Sequence, residues 1–133
     1  MYPTCAFNFG PCVRCKRHRD FANSVGIPCA ITALGDFDPT KGAHLILYDL
    51  GTFVRFPPGS TILLLSAPMD HGNTATGEGE TRTSFTQYFP GGLARHVEWK
   101  FRTWKQLPDA RRRKIRQGEH ARLGRMIARL SKA

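Results

Sequence analysis

A chain of 133 residues, 41% hydrophobic and 11% aromatic, has the length of one domain and enough apolar content to exclude a wholly disordered segment. Its 20 Lys and Arg against 10 Asp and Glu leave a formal charge of +10, which favours polyanionic partners, nucleic acid first and an acidic membrane surface second. No apolar run is long enough to span a bilayer, and Met1 to Gly10 lacks a signal peptide's charged-then-apolar order. The expected setting is therefore intracellular, nuclear for a nucleic-acid partner, with Cys5, Cys12, Cys15 and Cys29 kept as thiols.

In chain order, Thr4 to Phe9 alternates weakly and reads as a strand closed by Gly10-Pro11. Cys12 to Asn23 carries a CxxC (Cys12, Cys15) and then His18-Arg19-Asp20. Ile27 to Leu34 is an apolar, β-leaning run whose Pro28 is confined to a strand start or a bulge. After the turn chemistry of Gly35 to Gly42, Ala43–Tyr48 and Thr52–Phe56 form a hairpin candidate joined by Asp49-Leu50-Gly51. Ser60 to Ser66 is a further strand, followed by a loop carrying His71 and a strand that opens with Arg82. Short strands at this spacing signal an all-β sandwich or barrel.

Beyond Pro90-Gly91-Gly92 the texture changes. Val97, Phe101 and Trp104 recur at helical spacing, so Leu93 to Gln106 is expected to be a helix packed on the β-core, with Trp99 and Trp104 as core residues. Asp109 to Ala133 reads as a second helix with Leu123, Met126, Ile127 and Leu130 as its apolar stripe. The organisation expected is thus a β-core over residues 1–90, a helix over 91–107 and a basic amphipathic helix over 108–133.

The chemistry is concentrated in a few residues. His18 and Asp20 at i and i+2 on an extended backbone share a face, as do Arg82, Ser84 and Thr86 on the closing strand. Two histidines and one carboxylate (His18, Asp20, His71) with coordination positions left over suit non-haem Fe(II). Arg82 beside Ser84 is a carboxylate clamp, because guanidinium pairs bidentately and stays charged when desolvated. Arg19 points the other way and has no role at the metal.

The order H-x-D, His71 some fifty residues on, then Arg82, resembles the signature of Fe(II)- and 2-oxoglutarate-dependent dioxygenases. Gly42 to Leu47, Phe56-Pro57-Pro58-Gly59 and the run Gly79-Glu80-Thr81-Arg82-Thr83-Ser84 are similar to that superfamily's supporting strands and its closing G-x-x-R-x-S. Within it, the chain is most similar to the fungal TET/JBP-like group, relatives of enzymes that oxidise the methyl group of a pyrimidine base in nucleic acid. The resemblance covers about Tyr2 to Trp104. It implies a mainly β fold, a partial or minimal double-stranded β-helix (jelly roll) with one or two C-terminal α-helices and its N-terminal supporting elements missing. It also implies His18, Asp20 and His71 as iron ligands and catalytic centre, Arg82 and Ser84 as holders of 2-oxoglutarate, and oxidation of a nucleic-acid base. The departures are Pro28 in a ladder strand and Ala43 where glycine is usual.

Two other readings compete. Cys12 and Cys15 with Cys5 and Cys29, or with His18, could hold structural zinc, which would take His18 from the iron site. A catalytically inactive relative could bind nucleic acid through its tail, where Arg111, Arg112, Arg113, Lys114, Arg122, Arg125 and Arg129 make phosphate contacts without sequence readout.

Overall fold

The alternation of β-branched, aromatic and small residues produces seven short strands, β1 (Thr4–Asn8), β2 (Cys29–Asp36), β3 (Leu45–Leu47), β4 (Thr52–Val54), β5 (Thr61–Leu64), β6 (His71–Asn73) and β7 (Thr81–Tyr88). The computed structural model describes residues 2–130, without the side chains of residues 123, 126, 127, 129 and 130. The strands form two antiparallel sheets, one in the order β1-β7-β2-β5 and one in the order β4-β3-β6. This is a mainly β fold of the partial jelly-roll kind, with helices following the strands.

Between the sheets lie Cys29, Ile31, Ala33, Phe37, Ala43, Leu45, Leu47, Phe56 and Leu64. A fully buried Leu or Phe contributes roughly 1.5–3 kcal/mol, so this cluster is what holds the sheets face to face. Two backbone positions make the approach possible. Gly35 has φ +120, and a Cβ there would lie 2.3 Å from the Thr81 carbonyl oxygen, so glycine alone lets β2 lie beside the start of β7. Ala43 is fully buried with φ 57, a left-handed conformation that a residue with a Cβ adopts at a cost.

The segment 11–20 is not a strand but a strap that ties the sheets together. Arg82 N–H donates to the Pro11 carbonyl at 2.7 Å and Val13 N–H to the Arg82 carbonyl at 3.0 Å, on the larger sheet. Asn73 N–H donates to the Cys15 carbonyl at 3.0 Å, and Asn73 Oδ1 accepts from Cys15 N–H at 2.8 Å, on the smaller one. Gly72 lies under this strap, where a Cβ would come 2.9 Å from the Cys15 carbonyl oxygen. His71, expected in a loop, is therefore on a strand, because β6 gains partners from both β3 and the strap.

The helical part differs from expectation in three ways. The first helix, α1 (Gly91–Glu98), stops eight residues short of Gln106. Its end is a Schellman turn in which Lys100 N–H donates to the Val97 carbonyl at 2.9 Å and Phe101 N–H to the His96 carbonyl at 2.8 Å, with Lys100 and Phe101 at positive φ. Trp104–Gln106 forms only a 3-10 turn. Val97 and Phe101, expected in the core, are exposed, while Trp99 and Trp104 are half-buried against each other at 5.5 Å between centroids. Finally, the C-terminal segment is two helices, α2 (Asp109–Gln117) and α3 (Glu119–Leu130), broken at Gly118, which caps the first and would cost about 1 kcal/mol relative to Ala in a helix interior. The expected apolar stripe of Leu123, Met126, Ile127 and Leu130 lies outside the described side chains.

Candidate metal centre and its pocket

His18 and His71 face each other in an isolated antiparallel bridge, each backbone N–H donating to the other's carbonyl at 3.0 Å. Such a pair brings its side chains out on the same face, and the imidazole centroids are 4.3 Å apart. His18 Nδ1 lies 2.7 Å from the Lys16 carbonyl oxygen and His71 Nδ1 lies 3.0 Å from that of Met69. A carbonyl can only accept, so both Nδ1 atoms carry the proton. In the neutral ring each Nε2 then keeps its lone pair, the tautomer a metal ligand needs.

The carboxylate completes the group. Asp20 Oδ1 is 3.7 Å from His18 Nε2, while Oδ2 accepts from Asn23 Nδ2 at 3.2 Å, and Asn23 also donates to Ser66 Oγ at 3.0 Å. Donor atoms of His18, Asp20 and His71 all lie within 4.8 Å of one another. His71 is buried, whereas the side chains of His18 and Asp20 are 42% and 31% exposed, so the group is anchored on one side and open on the other.

Flanking residues hold this geometry. Arg17 and Arg19, on either side of His18, converge on Asp70, the residue before His71, at 2.5 Å and 2.7 Å. Asp70 N–H also donates to Asp49 Oδ2 at 2.7 Å, and Arg17 lies over the Tyr48 ring. Arg17 first of all, then Arg19, holds the Asp70 carboxyl below its ordinary pKa. Arg19 thus turns away from the cluster, as alternation requires.

A cavity of about 590 Å³ opens beside the cluster, and Arg82, Ser84, Thr86 and Tyr88 line it from β7. Arg82 is only 3% exposed, its Nη1 donates to the Val13 carbonyl at 3.3 Å, and its Nε is buried with no partner. Burial pulls its guanidinium below the ordinary pKa, opposed only by the Cys15 thiol. A buried guanidinium on a cavity wall, with one donor unpartnered and no carboxylate beside it, favours an anion in that cavity. Ser84 Oγ accepts from Asn8 Nδ2 at 2.9 Å, so its own hydrogen is free to donate into the cavity.

Among the described residues, no cysteine belongs to a cluster of three or more metal-ligating groups, and the cysteines lie apart. The sheet order explains it: Cys5 lies exposed on the edge strand β1, Cys29 is buried on β2 with β7 between them, and Cys12 Sγ is directed to the Glu80 carbonyl.

The tail cations fall into two sets. Arg111, Lys114, Arg122 and Arg125 line a cavity of about 340 Å³ between α2 and α3, while Arg112, Arg113 and Arg116 line a separate hollow with Trp104. The Arg129 side chain lies outside the description. No helix among the described residues is long and apolar enough to cross a membrane.

Sequence reasoning missed Asn73, Asn23, Asp70 and Asn8. Asn73 shares the face of His71 by alternation, the one signal that pointed to any of them. No family model matches the sequence, and no curated protein matches it either. Among solved structures, the fold is similar to that of NgTET1 in complex with 5mC DNA, with a TM-score of 0.58 and 20% identity. The match covers 68% of this chain and 34% of that one, so the chain spans about a third of the structure it resembles.

Proposed function

We propose that this chain is a core of an Fe(II)- and 2-oxoglutarate-dependent dioxygenase-like protein that oxidises a nucleic-acid base. The observation that carries the reading is that the His18–Asp20–His71 group and a buried Arg82 with no carboxylate partner line one cavity. Two neutral imidazoles and a carboxylate fit Fe(II), and three protein ligands leave positions for a bidentate oxo acid and for O2. When bound, iron with 2-oxoglutarate and O2 supplies the oxidation of a substrate C–H bond to C–OH, with the oxo acid leaving as succinate and CO2.

The chain's own residues do the rest. His18 and His71 present Nε2 because Lys16 and Met69 carbonyls hold their Nδ1 protons. Asn23 holds Asp20 in place through Oδ2, leaving Oδ1 for the metal. Arg82 pairs with the distal carboxylate of 2-oxoglutarate, and Ser84 donates a second bond to it. Ile31 and Leu45 line the same cavity and keep part of its wall apolar, which strengthens that ion pair by lowering the local dielectric. A base reaches such a site only after leaving its stack.

Nucleic acid as substrate is supported by the +10 charge and by the cation cluster between α2 and α3. A DNA substrate would place the protein in the nucleus. Succinate release is the test. Succinate formed from 2-oxoglutarate with Fe(II), O2 and DNA bearing 5-methylcytosine, with a hydroxylated base as coproduct, supports an active enzyme. Nucleic-acid binding without succinate supports the inactive relative.

A further inference from the structure

The metal-side cavity does not end at the metal cluster. Phe21 and Asn23 line both it and a second hollow of about 370 Å³, walled also by Ala94, Arg95 and His120. Glu98 and Arg122 in turn line both that hollow and the cationic cleft between α2 and α3, and they form an ion pair at 3.2 Å on the sill between the two. Three hollows thus adjoin in a row, from His18 and Asp20, past Phe21, along α1 and into the cleft, and together trace one track over the surface.

The track is chemically graded. At its threshold stands Phe21, next in sequence to Asp20, with an 85% exposed ring. An aromatic left in water at a cavity mouth is a stacking surface without a partner. Its neighbour Asn23 is already committed to Asp20 and Ser66. Along α1 the charges balance, Arg95 and Arg122 against Glu98 and Glu119. In the last hollow Arg111, Lys114, Arg122 and Arg125 face the single carboxylate of Glu98.

We propose that this track binds one single-stranded nucleic-acid segment. A base enters the metal-side cavity past the Phe21 ring, and the phosphates of neighbouring nucleotides lie in the cleft of α2 and α3. An aromatic platform followed by a cationic groove is the combination that single strands use, since every base has a face to stack and every linkage a charge. An acidic peptide would satisfy the cations but leave Phe21 unused. The inference rests on the proposed role of the metal-side cavity, and it adds the substrate's path and two elements to which the resemblance assigns no role, Phe21 and the α2–α3 cleft.

The test uses the full chain and a fluorescent single-stranded oligonucleotide read by anisotropy, with polyglutamate as competitor. Phe21 is exposed, so Phe21→Ala leaves the fold intact, and Phe21→Trp keeps a ring. The expected result is an affinity loss of about tenfold for Phe21→Ala, in line with base stacking on an aromatic, and retention for Phe21→Trp. Polyglutamate is expected to displace the strand poorly. Equal affinity of Phe21→Ala and wild type, or displacement by polyglutamate as effective as by unlabelled oligonucleotide, overturns the track. Fe(II) and 2-oxoglutarate binding, followed in the same samples, separates the two readings. Its absence from wild type contradicts the metal site, whereas its presence with no Phe21 effect contradicts the track alone.

Discussion

His18 and His71, 53 positions apart in sequence, exchange both of their backbone hydrogen bonds at 3.0 Å and each turn a protonated Nδ1 back onto a carbonyl of their own segment. The two imidazoles are thereby oriented by the backbone before any ligand arrives. Pre-orientation of this kind makes the neighbours of the cluster as informative as its members.

Asp20→Ala is expected to abolish Fe(II) binding with little change in the unfolding midpoint. It deletes the carboxylate, while Asn23 keeps its bond to Ser66 Oγ and the Asp20 N–H keeps its bond to the Ser66 carbonyl at 2.9 Å. Iron stoichiometry measured after desalting checks this. Unchanged stoichiometry would remove Asp20 from the ligand set.

Asp70→Asn tests the surrounding clamp. The substitution keeps the shape but removes the charge on which Arg17 and Arg19 converge, so the segments of His18 and His71 lose their cross-tie. Fe(II) affinity is expected to fall by about tenfold, the lower range for groups that orient metal ligands, with circular dichroism unchanged. An unaltered affinity would mean that the backbone bridge alone sets the geometry.

Arg82→Lys separates the two halves of the pocket. A lysine keeps the charge but cannot form the bidentate pair, so 2-oxoglutarate binding is expected to weaken by about tenfold or more while Fe(II) binding persists. Parallel titrations of metal and oxo acid distinguish this from a structural role, in which both would weaken together.

Replacing Arg111, Lys114 and Arg125 with Gln should flatten the salt dependence of single-strand binding. Each phosphate contact contributes about 0.7 to the slope of log affinity against log salt, so the slope is expected to shrink by ~2. An unchanged slope would move the contact away from the cleft of α2 and α3.

Much of the β-sheet was legible because its residues are of the strand-forming kind and its turns are marked by Gly and Pro. Strand β6 was not, since His71-Gly72-Asn73 has no strand propensity and pairs only because β3 and the strap lie on either side. The end of α1 was hidden for a similar reason: its Schellman turn uses Lys100 and Phe101 where glycine is the usual signal. Helical spacing identified Val97 and Phe101 as a face but could not say whether anything covers it, and both are exposed. Gly118 splits the segment that reads as one helix from Asp109 on, and the apolar spacing beyond it gives no sign of the break.

At the site, i, i+2 spacing paired His18 with Asp20 and strand alternation paired Arg82 with Ser84, while the resemblance joined His71 to them. Their supports were not legible. Asn8 reaches Ser84 across a strand pair 76 positions apart, and Asp70 meets Arg17 across 53. Long-range hydrogen bonds of this sort carry no local pattern.

The central claim is that His18, Asp20 and His71 hold iron next to a 2-oxo acid held by Arg82. Anaerobic titration of the protein with Fe(II) and 2-oxoglutarate, followed by visible absorption, tests it most directly. The expected result is a metal-to-ligand charge-transfer band that appears with the wild type and is absent from His71→Ala. A folded wild-type protein that binds Fe(II) and 2-oxoglutarate without the band, or a band that survives His71→Ala, would contradict the claim.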